Sequence, residues 1–212
     1  MTRPTVVLVD YGAGNIRSLR AALERAGAAV TVSSDRRVVE RAPRLMVPGQ
    51  GAAGAAMDAL RAGGLDDAVR RAVAEGAYLL GVCVGLQLLF ERSAEDDVTC
   101  LGLLPGRVER LEGVALLPHM GWNDVDPVPG RPHPVAAELP AVAYFAHSFA
   151  VRDAGAATLA TTEVDGVRFA SMVAGDRIAG AQFHPERSAA AGAAMLRGFL
   201  RWSADVEARG AA

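Results

Sequence analysis

Hydrophobic positions along the 212-residue chain fall into two regimes that meet near residue 98. In the first, short continuous apolar runs alternate with stretches of helical period. Thr5 to Val9 is β-branched and apolar on both faces, which suits a parallel strand buried between helices. Asp10 to Asn15 reads as a turn. Ile16, Leu19, Leu23 and Ala26 then mark one face of a helix, with Gly27 at its C-cap. Ala29 to Ser33 predicts a second strand and Arg44 to Val47 a third. The third runs into Pro48-Gly49-Gln50-Gly51, read either as a simple turn or as a place where backbone approaches a ligand. Leu65, Ala68, Val69, Ala72 and Val73 predict the next helix. Tyr78-Leu79-Leu80 opens a buried strand that passes through Gly81, Val82, Cys83, Val84 and Gly85 into helical spacing at Leu86, Leu89 and Phe90. Such alternation predicts an α/β fold with a doubly wound, mainly parallel sheet. Ligands sit at the carboxyl ends of the strands in such sheets, where Asp10, Gly49 to Gly51 and Cys83 all fall.

The second regime has short β-like runs in close succession: 106–111, 114–117, 143–149, 158–164, 168–173 and 177–183. Turn dipeptides Asp165-Gly166 and Gly175-Asp176 separate the later ones. Antiparallel or mixed sheet that continues or flanks the first is the expectation. A last helix begins near Ser188 and carries Met195, Leu196, Phe199 and Leu200 on one face, and Ala208–Ala212 is expected to fray. With no internal repeat or long linker, one domain spanning 1–212 is expected.

Composition narrows the function classes. Net charge is −2 and no basic patch points to nucleic acid. No apolar stretch approaches the roughly 18 residues of a membrane span, and because the first residues enter a strand at once no signal peptide is expected. Two cysteines, Cys83 and Cys100, form no disulfide framework. A reduced, cytoplasmic setting is the expectation.

Candidate chemistry starts at Cys83. Gly81-Val82-Cys83-Val84-Gly85 is G-x-C-x-G, the thiol counterpart of the G-x-S-x-G nucleophile elbow. Its glycines leave room for a strained turn, and a helix starting just beyond directs backbone N–H groups at the sulfur, which suits an anion. The plain alternative is a small buried apolar residue. His184-Pro185-Glu186 ends an apolar strand. In extended backbone the two side chains share a face, so Glu186 can orient His184, which can serve as base to a thiol and then as acid to a leaving amine. A polar strand end is the plain alternative. The G-x-G of Gly12 and Gly14 lacks the third glycine of a dinucleotide fingerprint, since residue 17 is Arg. His119, His133 and His147 have no tight ligand spacing, so no metal site is expected; His133 lies in a proline-rich surface loop.

Taken together these motifs resemble the class I (triad) glutamine amidotransferases, and more narrowly the glutaminase subunit of imidazole glycerol phosphate synthase. The stretches that carry the resemblance are DYGAGNIRSL at 10–19, VPGQG at 47–51, GVCVGLQLLFE at 81–91, LPHMGWNDV at 117–125, YFAHSF at 144–149 and GAQFHPERS at 180–188. The resemblance implies a flavodoxin-like fold in which a mixed, mainly parallel central sheet is flanked by helices, with additional antiparallel strands in the C-terminal half. It implies a Cys83–His184–Glu186 triad that hydrolyses glutamine, without a cofactor. The oxyanion hole would be built from Val84 and from Gly49, Gln50 and Gly51, a segment thought to need a peptide rearrangement in this family. Gln87, Glu95, His147 and Ser148 would hold the substrate. A barrel-shaped cyclase subunit would receive the ammonia and make imidazole glycerol phosphate and an aminoimidazole carboxamide ribotide in histidine biosynthesis. Asn15, Trp122, Tyr144 and Arg187 would face that partner.

Two positions depart from the family pattern: Gln50 stands where an apolar residue is usual, and Arg187 where Lys is common. Three rival readings remain at this level: a triad glutaminase of another synthase, a γ-glutamyl peptidase, and a non-catalytic scaffold. PHMGWN and YFAHSF count against the first, and the intact triad against the last.

Overall fold

A computed structural model describes residues 3–137 and 141–204. The first half alternates as β1 (Thr5–Val9), α1 (Ile16–Ala26), β2 (Ala29–Ser33), α2 (Arg36–Glu40), β3 (Arg44–Val47), α3 (Ala53–Ala62), α4 (Leu65–Ala74) and β4 (Tyr78–Val82). A one-turn helix α5 (Val84–Gln87) follows, then β5 (Arg92–Ser93), β6 (Val98–Thr99), β7 (Arg107–Arg110), β8 (His119–Asp124) and β9 (Asp126–Pro127). The remainder is β10 (Val142–His147), β11 (Phe149–Ala150), β12 (Thr158–Val164), β13 (Val167–Ala174), β14 (Ile178–Ala181) and α6 (Ala189–Trp202).

Among the described residues the central sheet has eight strands in the order β2-β1-β3-β4-β14-β13-β12-β9. Neighbours are parallel from β2 through β14 and antiparallel from β14 to β9. The continuous apolar runs are the central strands: β3, β4 and β14 are buried along their whole length, whereas the edge strand β2 is partly exposed. From β1 the chain goes out to β2 and returns to β3 on the far side of β1. Right-handed crossovers therefore put α1 on one face and α2, α3 and α4 on the other. Accordingly α1 packs against α6, while α2 and α3 pack against α4. The reversal between β1 and β3 is the topological switch point, and it opens the crevice described below. Arg44 is 1% exposed at the start of β3 and clamps the end of α6, with Nε donating to Ser203 Oγ at 2.7 Å and Nη2 to Ser203 O at 2.6 Å.

Several expectations are corrected. The helix expected through Leu86, Leu89 and Phe90 ends after one turn. The amides of residues 101–104 donate to the carbonyls of Leu88, Leu89 and Phe90 at 2.8–2.9 Å, taking the acceptors that a longer helix would use. Residues 114–117 form no strand, for Leu116 is 79% exposed and the Ala115 amide is held by Asp165 Oδ2 at 2.9 Å. The run 143–149 breaks at Ser148 into β10, which pairs with β8, and β11, which pairs with β7. Sequence periodicity missed α2, α3 and β8. The expected fraying of Ala208–Ala212 lies outside the described residues.

Candidate active site

Four parallel strand ends converge on one cavity of about 360 Å³. Behind β4, Cys83 adopts φ 55°, ψ −115°, a left-handed backbone that a side-chain-bearing residue rarely takes. The neighbouring glycines make the strain tolerable. A Cβ on Gly81 would lie 2.6 Å from Gly85 O, and one on Gly85 would overlap Val47 O. Likewise a Cβ on Gly49 would run into Val84 and the Gly85 amide. The end of β3 and the elbow are thus in backbone contact, and any side chain there would separate them. The elbow is pinned to β14 as well, through Cys83 N–H donating to Ala181 O at 2.8 Å.

Just past β14, His184 has its amide on Tyr144 O at 2.9 Å and its carbonyl on Ser188 Oγ at 2.6 Å. His184 and Glu186 do not share the face of an extended strand. Pro185–Arg187 is a 3₁₀ turn, which folds Glu186 back so that His184 Nδ1–H donates to Glu186 Oε1 at 3.0 Å. The Glu186 side chain is 1% exposed, and its Oε2 has no hydrogen-bond partner among the described residues, so its charge is directed at the imidazole. Burial by itself would lower the His184 pKa. Hydrogen bonds to Cys83 and Glu186, with the negative charge of both, outweigh it and push the imidazolium up to about 10. With Nδ1 committed to Glu186, Nε2 is the atom left for the sulfur.

The rim of the cavity carries most of the sequence-predicted residues. Gln50, Gly51 and Val84 line it beside Cys83, and Val84 opens α5, where an amide has no intrahelical partner. Gly49 lies underneath, against Val84 and Gly85. Tyr11 braces the same segment by donating its hydroxyl to Pro48 O at 2.6 Å, and burial, then the nearby Cys83 charge, push its pKa up. Gln87, at the end of α5, lines the cavity on the same side, His147 and Ser148 line it from the end of β10, and the exposed Asn15, Met120 and Arg187 stand at the mouth. Glu95 stands elsewhere: its Oε2 accepts from Ala53 N–H at 2.9 Å at the start of α3, beside Asp96, which takes the Gly54 amide at 3.2 Å. Burial pushes the Glu95 carboxyl up, against the pull of that amide.

Trp122 and Tyr144 are not in the cavity. They face each other across the β8–β10 pair with ring centroids 6.3 Å apart, and Arg187 lies over the Tyr144 ring at 4.2 Å. Strand alternation sends Met120, Trp122 and Val142 outward, at 64%, 56% and 40% exposure, and His119 and His147 inward. Together the outward residues form an exposed apolar face beside the mouth.

Two further features escaped the sequence reading. His119 and His147 are register partners in β8 and β10 with ring nitrogens 3.4 Å apart. Asn123 Nδ2 donates to Glu163 O at 3.0 Å, which fixes its amide and leaves His119 Nε2, 3.1 Å away, as acceptor. His119 Nδ1–H then meets His147 Nε2, and His147 Nδ1–H meets Phe149 O at 2.9 Å. Both rings are satisfied as neutral imidazoles. Burial first, then the neighbouring His119 and His184 rings, press the His147 pKa down to about 3. The second feature is Gln182, wholly buried, whose Oε1 accepts from Gln87 Nε2 at 3.2 Å and whose Nε2 is 3.8 Å from Cys83 Sγ. A polar residue ending the apolar Ile178–Ala181 run was the available signal. His133, expected on a loop surface, is half-buried and meets Trp202 edge to face with ring centroids 4.7 Å apart. No helix among the described residues is long and apolar enough to cross a membrane.

Comparison with known proteins bears on this site. Residues 7–202 match the family model "Glutamine amidotransferase class-I". The imidazole glycerol phosphate synthase subunit HisH of Xylella fastidiosa is 46% identical over 94% of this chain and 98% of its own. The corresponding subunit of Aromatoleum aromaticum is 42% identical over 93% and 98%. Among solved structures, a glutamine amidotransferase superposes with a TM-score of 0.74 at 24% identity, covering 93% of this chain and 98% of its own. The structure of PurLQS from Thermotoga maritima superposes at 0.72 and 19% identity, covering 95% and 99%; these two likenesses speak to the fold.

Proposed function

The chain belongs to the class-I glutamine amidotransferases, among the HisH subunits of imidazole glycerol phosphate synthase, and from that premise we propose that it releases ammonia from glutamine at Cys83 and delivers it to a cyclase subunit. The observation that carries this reading is the meeting of Cys83, His184 and Glu186 from two strand ends in one cavity.

The sulfur attacks the side-chain amide carbon of glutamine. Negative charge develops on the amide oxygen, within reach of the Val84 amide and the 49–51 segment. His184, already protonated, gives its Nε2 proton to the departing nitrogen, and ammonia leaves as the glutamyl thioester forms. Water then attacks the thioester and returns a proton to His184. The C–S bond breaks with its electron pair going to sulfur, and glutamate departs. Glu186 holds the imidazole ring in place and stabilises its charge throughout. Gln87, His147 and Ser148 position the substrate; because both Gln87 amide hydrogens are engaged with Phe149 O and Gln182 Oε1, its carbonyl oxygen is what it offers a ligand. Glu95 joins them from beyond the cavity lining, where it holds the Ala53 amide. The partner docks on the exposed apolar face around Trp122 and Tyr144, with Asn15 and Arg187 at the mouth. It uses the ammonia to make imidazole glycerol phosphate and an aminoimidazole carboxamide ribotide, in the cytoplasm.

Glutamate release by the chain alone, with the cyclase subunit, and with that subunit plus its nucleotide ligand tests the proposal. Activity that rises with the liganded partner and vanishes in Cys83→Ala is expected. Full activity without the partner would remove the gating, and activity in Cys83→Ala would remove the nucleophile.

A further inference from the structure

Gln182 is wholly buried next to the nucleophile, and the triad has no use for it. Its backbone is fixed on two sides: its own N–H donates to Ser171 O at 2.9 Å, and the carbonyl of the preceding Ala181 accepts from Cys83 N–H at 2.8 Å. Its side-chain orientation is equally determined, although an amide can in principle be flipped. Phe149 O can only accept, so the nitrogen of Gln87 must face it at 2.7 Å. The same nitrogen meets Gln182 at 3.2 Å, so Gln182 must offer its oxygen there. What remains, the Gln182 NH₂ group, is directed at Cys83 Sγ at 3.8 Å. The reverse flip would oppose two NH₂ groups and bring an oxygen lone pair toward the sulfur.

We propose that Gln182 is a further member of the catalytic machinery, a hydrogen-bond donor to the Cys83 sulfur whose N–H is aimed by Gln87. A hydrogen bond to an ionised acceptor is roughly twice as strong as one to its neutral form. The N–H therefore favours the sulfur as thiolate before attack, and receives it again when water resolves the thioester and the C–S electron pair returns. During the acyl-enzyme stage the sulfur is uncharged and the bond is weakest, so the donor acts at both ends of the cycle. The inference rests on Cys83 being the nucleophile proposed above.

Alkylation of the full chain by iodoacetamide across a pH series, read at the Cys83 peptide by mass spectrometry, tests it. Wild type, Gln182→Leu and Gln182→Glu are compared, together with kcat and KM for glutamine in the presence of the cyclase subunit. Loss of one donor to a charged partner should raise the pH midpoint of Cys83 alkylation by about one unit in Gln182→Leu. The midpoint should rise further in Gln182→Glu, where a carboxylate replaces the amide at the same size. Values of kcat should fall about tenfold or more, with KM within about twofold of wild type. A midpoint that stays put in the folded variants overturns the inference, even if activity falls, because a packing role would leave thiol ionisation alone. If Gln182→Leu does not fold, Gln182→Glu decides alone by the same criterion. Hydrolysis persisting in Cys83→Ala would instead overturn the nucleophile assignment, an outcome separate from any result at Gln182.

Discussion

His184 and His147 line the same cavity, both away from bulk water, yet they are driven in opposite directions: His184 up to about 10, His147 down to about 3. Burial acts alike on both and favours the neutral ring. The difference lies in what the ring nitrogens meet. His184 stands between a sulfur and a carboxylate, two groups that can carry negative charge. His147 stands between a second imidazole and a backbone carbonyl, with His184 itself as a nearby like charge. One site thereby keeps a charged imidazole and a neutral one side by side.

The largest effect that tests this contrast comes from paired substitutions. His184→Gln should lower glutamine turnover by about 10³-fold or more, as loss of a general acid–base does. His147→Gln, which preserves hydrogen-bonding capacity without a charge, should cost about tenfold or less, mainly in KM; equal losses in the two variants would erase the distinction. Next, Glu186→Gln keeps the shape of the turn but removes the counter-charge. Turnover should drop about 10²-fold, and NMR titration should find His184 losing its proton at markedly lower pH.

Stability against pH separates the rings by the sign of their contributions. Between about pH 6.5 and 3, the unfolded chain binds a proton at His147 that the folded chain refuses, so stability falls on acidification through that window. Above about pH 6.5 the folded chain retains at His184 a proton that the unfolded chain has released. That contribution is complete below pH 6.5 and is lost as pH rises toward about 10. Each group alone gives a slope of about 1.4 kcal/mol per pH unit inside its window. Urea unfolding should find the acid limb flattened in His147→Gln and the alkaline limb flattened in His184→Gln; the reverse pairing would contradict both assignments. Smallest of all should be the effect of Trp122→Ala on the chain alone. The side chain is 56% exposed, so stability should move by no more than about 0.5 kcal/mol and basal hydrolysis should hold, while stimulation by the cyclase subunit drops about tenfold.

How far these properties could be read from sequence depended on whether they were local. The parallel strands were legible because Val6–Val9, Leu45–Val47 and Tyr78–Val82 write burial on both faces as apolar runs. The elbow was legible because Gly81 and Gly85 flank Cys83 at fixed spacing. Where a signal was weak, an element was lost. The sequence of α3, AGAAMDALRA, is so rich in small residues that its period hardly registers. Strand β8 turns histidine and asparagine toward the interior and methionine and tryptophan toward solvent, the inverse of the usual alternation. The His119–His147 pair was out of reach for another reason: the residues lie 28 positions apart, and only the β8–β10 register brings them together. His184 and Glu186 were correctly associated, though by the wrong local geometry, since proline was read as stiffening a strand where it starts a 3₁₀ turn.

The contact between Gly49 and the Val84–Gly85 backbone also has a bearing on engineering. The two segments meet like closed teeth, with no space for one carbon atom, so the strand end that lines the pocket and the turn that presents the sulfur admit no side chain between them. A library meant to retarget this scaffold to other amides would waste its diversity at 47–49 and 81–85, where most variants would lose the working site along with the old specificity. Residues 146–148 line the same cavity without locking onto the elbow backbone in this way, and are the place to randomise.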